Sequence, residues 1–382
     1  MLFLLFALSS AKVFMAYYTN WSQMSPNAIP WYITHVSYAF AKIMPDGRVT
    51  NGDPVDIGRG AGCNADGLYY QLYQLKATRP YLKTILSVGG WNYRNQYLPV
   101  MSDNVKRATF IRTAVALALN YGFDGLDVDW EYPNTPDEGK YYVLMMKQIR
   151  QALNIASKAD NKIYLLTTAI PSSQYLLRSF WLDQSRHYID WYNLMAYDAS
   201  VGTKNAVHQS PLYNSGPDSA DAVISFMRSK GVARGQIVLG NPLYAHQYNV
   251  AINDVNKGLG SVKTSDLDTW LTNKEVQALI QSGEYTRYFD TNAQVPWLYC
   301  PSKGLFVTYD DVQSISSKVK YVNKKNLRGV FFWELNQDYL TERLDVAIIP
   351  NAQEVMTGLT YWPSLILCAP QSKFCNINCN SK

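Results

Sequence analysis

The chain has 382 residues, 47% of them apolar and 17% charged, which is enough for a large buried core. Lys and Arg exceed Asp and Glu by only 35 to 30, with no basic run and no acidic tail, so nucleic acid is excluded as the expected partner. Aromatic residues are abundant at 14%, and flat rings left over at a cleft suit a sugar, whose C–H faces stack while its hydroxyls find polar groups.

Residues 1–11 form an apolar run too short to span a bilayer, ending in the small residues Ser9, Ser10 and Ala11. The pattern reads as a signal peptide, although it lacks a basic leading region; the other reading is an extra N-terminal strand. Export implies a secreted protein, or one held in a secretory vesicle or lysosome-like compartment. No later segment has the length and apolarity of a transmembrane helix. The cysteines are Cys63, Cys300, Cys368, Cys375 and Cys379. In an exported chain they tend to pair and leave one over, and their spacing is not that of a zinc site.

Further along, short apolar runs alternate with amphipathic segments, the pattern of a parallel sheet with crossover helices. The predicted strands are Val13–Tyr18, His35–Phe40, Thr84–Val88, Gly125–Glu131, Ile163–Ala169, Tyr192–Tyr197, Ile237–Gly240 and Gly329–Glu334. Predicted helices cover Asn104–Tyr121, Glu138–Ala156, Asp218–Lys230 and Asp310–Val322, with a closing helix near Leu340–Leu359. An α/β fold of the (β/α)8 TIM-barrel type is the economical arrangement, spanning 12–359. The interval between strands seven and eight is too long for one crossover. With β-like pieces at Tyr285–Phe289 and Val295–Tyr299, it reads as a small α+β insertion at about 244–306. An open doubly wound sheet would carry a glycine-rich loop after its first strand, and Ala16–Trp21 contains no glycine. Residues 360–382 form a cysteine-containing tail without a clear period.

The fourth strand holds the most informative run. Residues two apart on a strand share a face, so Asp127, Asp129 and Glu131 point one way, and Val128 and Trp130 the other. Asp124 has the opposite parity and reads as structural. In a parallel barrel the shared face points inward and Glu131 reaches the C-terminal mouth, where such folds hold their active sites. Stacked carboxylates repel, so at least one keeps a proton near neutral pH, which is what general acid catalysis requires. A divalent cation is the competing reading of three carboxylates. No cofactor or metal is expected.

Phe123-Asp-Gly-Leu-Asp-Val-Asp-Trp-Glu-Tyr-Pro133 resembles the signature of the family 18 glycoside hydrolases, the chitinases, with each acid of the Asp-x-x-Asp-x-Asp-x-Glu pattern present. Ser87-Val-Gly-Gly-Trp-Asn92 resembles that family's third-strand motif, Met195-Ala-Tyr-Asp198 its sixth, and Gly329-Val-Phe-Phe-Trp333 its eighth. Gly240-Asn-Pro-Leu-Tyr244 precedes the same kind of insertion. The likeness runs from about Val13 to Leu359.

The resemblance implies a substrate-assisted, retaining route, in which the N-acetyl oxygen of the sugar is the nucleophile and no second protein carboxylate is needed. It implies Glu131 as general acid and base, Asp129 on the acetamido N–H, Asp127 sharing a proton with Asp129, and Tyr197 donating to the acetamido oxygen. It assigns substrate contacts to Tyr17, Phe40, Gly89, Gly90, Trp91, Asn92, Tyr132, Met195, Ala196, Asp198, Arg287 and Trp333. Among these, Trp333 floors the cleavage subsite, and Arg287 pairs with Asp198 from the insertion. The rival reading is plain core for Tyr17, Phe40 and Trp333, and a surface residue for Arg287.

Two segments depart from the family pattern. Ala199–Asn205 lacks a histidine-glycine-tryptophan segment common among relatives, and Ala245 stands where glycine is usual. The implied partners are chitin or N-acetylglucosamine oligosaccharides, bound by a monomer. An endo-β-N-acetylglucosaminidase acting on N-glycans is a second enzyme reading, and a non-catalytic chitin-binding lectin is the reading from another class.

Overall fold

The computed structural model describes residues 12–22, 24–58, 67–213 and 216–338. The expected signal peptide, Cys63, Cys368, Cys375, Cys379, the closing helix at Leu340–Leu359 and the tail lie outside the described residues.

The strands are β1 Val13–Thr19, β2 His35–Ile43, β3 Val49–Thr50, β4 Lys83–Gly89, β5 Gly125–Asp129, β6 Leu165–Pro171, β7 Trp191–Met195, β8 Ile237–Pro242, β9 Tyr244–Asn249, β10 Asp268–Thr272, β11 Thr286–Asp290, β12 Val295–Cys300, β13 Leu305–Thr308 and β14 Gly329–Trp333. Eight of them follow the order β1-β14-β8-β7-β6-β5-β4-β2, closed by pairing of β1 with β2. This is the expected (β/α)8 barrel. Each of the eight expected strands is present, shifted at its ends by a few residues. Every residue of β5 is buried, as is every residue of β1, because a parallel barrel strand has packed side chains on both faces. β5 ends at Asp129, so Glu131 stands in the loop beyond the strand rather than on it.

Local chemistry sets the crossover helices. Pro136–Asp160 opens on a capping box between Thr135 and Glu138, has Pro136 in its first turn, and ends on Asn161 in the left-handed region at φ 48°. Asn104–Asn120 is capped by Asp103, whose carboxylate accepts from the amides of Val105 and Lys106. A helix at Leu68–Thr78, absent from the sequence-based expectation, joins β3 to β4.

A second, antiparallel sheet of order β10-β9-β13-β12-β11 lies between β8 and β14 in sequence, with the helix Asn273–Gln281 following β10. It occupies the interval where an insertion was expected. The two anticipated pieces are β11 and β12, while β9 and β10 mix polar residues into their runs and β13 is only four residues long. Cys300, the one described cysteine, is buried in β12 with its Sγ 3.5 Å from the Ser302 hydroxyl.

By spatial proximity the chain divides into two compact units. Among the described residues, one contains those up to Ile170 and Ser179–Tyr192, and the other contains Pro171–Arg178 and those from Asn193 to Asp338. Among the described residues no helix is long and apolar enough to cross a membrane.

Candidate active site

In the first unit, register builds a carboxylate ladder. Ser87 of β4 and Thr167 of β6 are the in-register neighbours of Asp127 on β5. All three side chains face the same way, and the two hydroxyls reach the carboxylate: Ser87 Oγ donates to Oδ2 at 2.8 Å, and Thr167 Oγ1 to Oδ1 at 2.6 Å. Tyr17 of β1 adds its hydroxyl to Oδ2 at 2.8 Å. Three O–H donors on one enclosed carboxyl match an ionised acceptor. Tyr17 is 2% exposed. Its hydroxyl thus serves the ladder through Asp127.

One step along the same face, Asp129 is buried and its Oδ1 has no hydrogen-bond partner. Burial, then the charges of Glu131 and Asp127, push its carboxyl well above the usual carboxylate range. The proton that the stacked acids must retain therefore resides by preference on Asp129, between a well-solvated-by-hydroxyls Asp127 below and the half-buried Glu131 above. Asp124, before the strand, is ion-paired to Lys76 at 2.6 Å and Lys162 at 2.8 Å, the structural role its parity suggested.

The end of β4 is shaped to let this ladder close. Gly89 has φ 106°, and a Cβ there would lie 2.5 Å from the Asp129 carbonyl oxygen and 2.5 Å from the Tyr97 hydroxyl. Gly90, at φ 76°, donates its amide to that same carbonyl at 2.9 Å, and a Cβ on it would meet the Phe40 ring at 2.7 Å. Only glycine fits this closeness and this backbone. Phe40 is half-buried, with Trp21 beside it at 6.3 Å between ring centres. Trp91 is 57% exposed and carries the Arg94 guanidinium 4.0 Å over its ring. Asn92 is exposed and Tyr132 half-buried. The peptide bonds Ala39–Phe40 and Glu131–Tyr132 are cis.

In the second unit, β7 delivers Met195, half-buried, and then the buried Ala196 and Tyr197. Phe331 of β14 packs edge-on to Tyr197 at 6.1 Å, and Tyr244 does so from β9 at 6.1 Å. Trp333 ends β14 half-buried, its carbonyl accepting from the Leu243 amide at 2.8 Å, and the Trp333–Glu334 bond is cis. Asp198 follows in the left-handed region, φ 63°.

The expected pair between Arg287 and Asp198 does not form. Arg287 is held by Asp311, with Nε at 2.9 Å and Nη2 at 2.5 Å, and by Gln313 at 2.8 Å. Strand order explains this. Arg287 lies on β11, three strand spacings from β9, roughly 14 Å at the usual separation. From β9 itself, Tyr244 donates its hydroxyl to Asp198 Oδ1 at 2.5 Å and His246 Nε2 meets the same oxygen at 2.9 Å. His246 was not anticipated. Its signal was the alternation Tyr244, His246, Tyr248, which puts all three on one strand face. Among the described residues, no group of three His, Cys, Asp or Glu side chains is arranged to hold a metal ion.

A barrel with a ladder of acids at the C-terminal end of its fourth ring strand is the architecture of a glycoside hydrolase. The sequence profile of the glycosyl hydrolases family 18 matches residues 13–338, and the chain belongs to that family. Chitinase A1 of Niallia circulans is 31% identical over 87% of this chain, which spans 57% of that protein's length. Chitinase ChiA74 from Bacillus thuringiensis is 27% identical and superposes with a TM-score of 0.82, covering 90% of this chain and 70% of that one. A family 18 chitinase of Cycas revoluta, solved in complex with (GlcNAc)4, is 26% identical with a TM-score of 0.75, covering 90% and 99%.

Proposed function

We propose that the chain is a chitinase, hydrolysing β-1,4 bonds between N-acetylglucosamine units with retention of anomeric configuration. The observation that carries this reading is the run Asp127–Asp129–Glu131, in which Asp129 is enclosed, lacks a partner on Oδ1 and has its carboxyl pushed up by burial and by the charge of Glu131. Glu131 protonates the glycosidic oxygen as the acetamido oxygen attacks the anomeric carbon, so the leaving sugar departs as an alcohol and a cyclic oxazolinium remains. Water then attacks the same carbon while the Glu131 carboxylate takes its proton, which restores both the acetamide and the acid.

As positive charge develops on the acetamido group, Asp129 passes its proton to Asp127, accepts the acetamido N–H with its carboxylate and stabilises that charge. Tyr197 donates to the acetamido oxygen and keeps it in the attacking geometry. Met195, Asp198 and Trp333 line the sugar at the cleavage position, and Trp91 stacks on a neighbouring unit. Likeness to a relative solved with (GlcNAc)4 supports the substrate class.

The test is hydrolysis of soluble N-acetylglucosamine oligosaccharides by the wild type and Glu131→Gln. Loss of about 100- to 10,000-fold in kcat with binding retained is expected. A first product that appears as the β-anomer by NMR accords with the substrate-assisted route. Equal activity in both proteins would remove Glu131 from the mechanism, and an α-anomer would replace this route by inversion. Binding without turnover in the wild type would favour a lectin, and cleavage confined to N-glycan cores would favour an endo-β-N-acetylglucosaminidase.

A further inference from the structure

Between two crossover helices of the first unit, Asn104–Asn120 and Pro136–Asp160, lies a groove of about 510 Å³ that the proposed reaction does not use. Ala108, Ile111, Val115 and Ala116 recur at spacings of three and four along the first helix, so they share the face that lines it. Ala152 lines it from the second helix. The alanines keep the trough open, since a longer side chain there would occupy it. Three residues beyond Ala152, on the same stripe, Ile155 is left 72% exposed.

The polar lining is Asn104, Arg112 and Gln148, and behind two of these stands the enclosed Arg107. Its Nε donates to Gln148 Oε1 at 3.0 Å and its Nη2 to Asn104 Oδ1 at 2.6 Å, while Nη1 donates to the Met101 carbonyl. All three acceptors are neutral, so this buried cation touches no carboxylate among the described residues. The nearby Asp103 carboxylate, itself held low in part by the charge of Arg107, is taken up by the amides of Val105 and Lys106.

A guanidinium only donates, which fixes the orientation of both amide side chains. Their oxygens face Arg107 and their NH2 groups turn away from it. Among the described residues, neither Asn104 Nδ2 nor Gln148 Nε2 meets an acceptor, and the exposed Arg112 has no acidic partner. A tie between helices accounts for Arg107 itself. It does not account for two outward donors and a second cation gathered on an apolar trough.

We propose that the groove binds an aliphatic carboxylate. The carboxylate accepts from the Asn104 and Gln148 amides, in the field of Arg107 and Arg112, and the hydrocarbon chain lies along Ile111 and Val115 toward Ile155. Both halves of the ligand are needed. A bare anion at so open a site stays hydrated, and an uncharged chain leaves the donors unused. The volume falls in the range of small-molecule sites, and Asn104 to Ala116 spans about 18 Å of helix, room for a chain of about ten carbons. The proposal does not depend on the glycosidase reading.

The experiment is calorimetry of the full chain at pH 7 with decanoate below its micelle concentration, beside decanol and acetate. Decanoate binds about tenfold or more tightly than decanol, the size of one charge-assisted hydrogen bond, and acetate gives no heat. Gln148→Glu gives Arg107 a carboxylate of its own and repels the incoming one, so decanoate falls to the affinity of decanol while decanol is unchanged. Ala116→Leu fills the trough and weakens both. Hydrolysis of N-acetylglucosamine oligosaccharides is the same in both variants as in the wild type.

Equal affinity for decanoate and decanol reduces the groove to an apolar patch and overturns the inference. Decanoate binding that survives Gln148→Glu places the carboxylate elsewhere and overturns it too, as does absence of binding. If Ala116→Leu fails to fold, the comparison of decanoate with decanol in Gln148→Glu still decides.

Discussion

Asp124 precedes β5 and Asp129 ends it, and both are buried, yet their surroundings pull them in opposite directions. Burial alone would raise Asp124, but Lys76, Lys162 and Lys83 outweigh it and bring its carboxyl from 3.8 to about 2. The unfolded chain therefore binds the proton more readily. The stability contributed by this carboxylate is present above pH 4 and is lost as pH falls from about 4 to about 2. Asp124→Asn should flatten that acid limb and cost about 3 kcal/mol at neutral pH, because Lys76 is left enclosed without its partner. Denaturant midpoints between pH 2 and 7 test both parts; an unchanged acid limb would refute the assignment. Asp129 has the reverse sign. Its proton is held more tightly in the folded state, so rising pH from about 4 upward erodes stability. Asp129→Asn should stabilise the fold at neutral pH by on the order of 1 kcal/mol for each pKa unit relieved. It should also lower hydrolysis by about 100-fold or more. A gain in stability beside a loss of activity marks a group retained for chemistry. Loss of both would make Asp129 a packing residue.

At the scale of elements, the close of β4 against β5 leaves no room for a side chain on Gly89. Trp130 and Tyr97 stack there at 5.0 Å with rings nearly parallel, and the Tyr97 hydroxyl donates to the Val88 carbonyl at 2.7 Å. Gly89→Ala meets two obstacles that cannot move cheaply, a β5 carbonyl and this anchored hydroxyl, and keeps a φ of 106°. Gly202→Ala, at φ 69°, meets nothing within 4 Å. Urea unfolding should show a cost of about 3 kcal/mol or more for the first and about 1 kcal/mol for the second. Equal costs would mean that backbone conformation, not crowding, selects glycine at both places. The Gly89-Gly90 pair was legible in the sequence as room for a close approach. What approaches was not, because Tyr97 belongs to a helix whose packing on Trp130 has no local signature. The same limit explains Arg287. Its neighbours depend on the order of strands in the second sheet, and side-chain periodicity gives a strand's faces but not its partners.

For the whole molecule, the barrel was readable because parallel strands buried on both faces appear as short apolar runs, and the acid ladder because a period of two is preserved through Asp127, Asp129 and Glu131. The contacts of His246 were not readable, since β9 and β10 must pair before its Nδ1 can meet Asp268 Oδ1 at 2.8 Å. On the proposed reading, substrate binding extends past these enclosed groups to the rim that follows the C-terminal ends of the barrel strands. Trp21 comes just after β1 and Trp91 just after β4, and they are 53% and 57% exposed. Large aromatic faces left in water at that end suit sugar units beyond the one being cleaved. Each stacked ring contributes about 0.5–1.5 kcal/mol, or roughly two- to twelvefold in affinity. Trp91→Ala and Trp21→Ala should therefore each weaken binding of a hexamer of N-acetylglucosamine to Glu131→Gln protein within that range, while a dimer confined to the central sites loses little. Trp91→Ala also releases Arg94 from the ring face, so Arg94→Ala serves as the control that separates stacking from the cation. If dimer and hexamer weaken alike, the rings act on the fold of the centre. If only the hexamer weakens, affinity grows along the rim with the length of the chain being cut, and the molecule is built for a polymer rather than a single sugar.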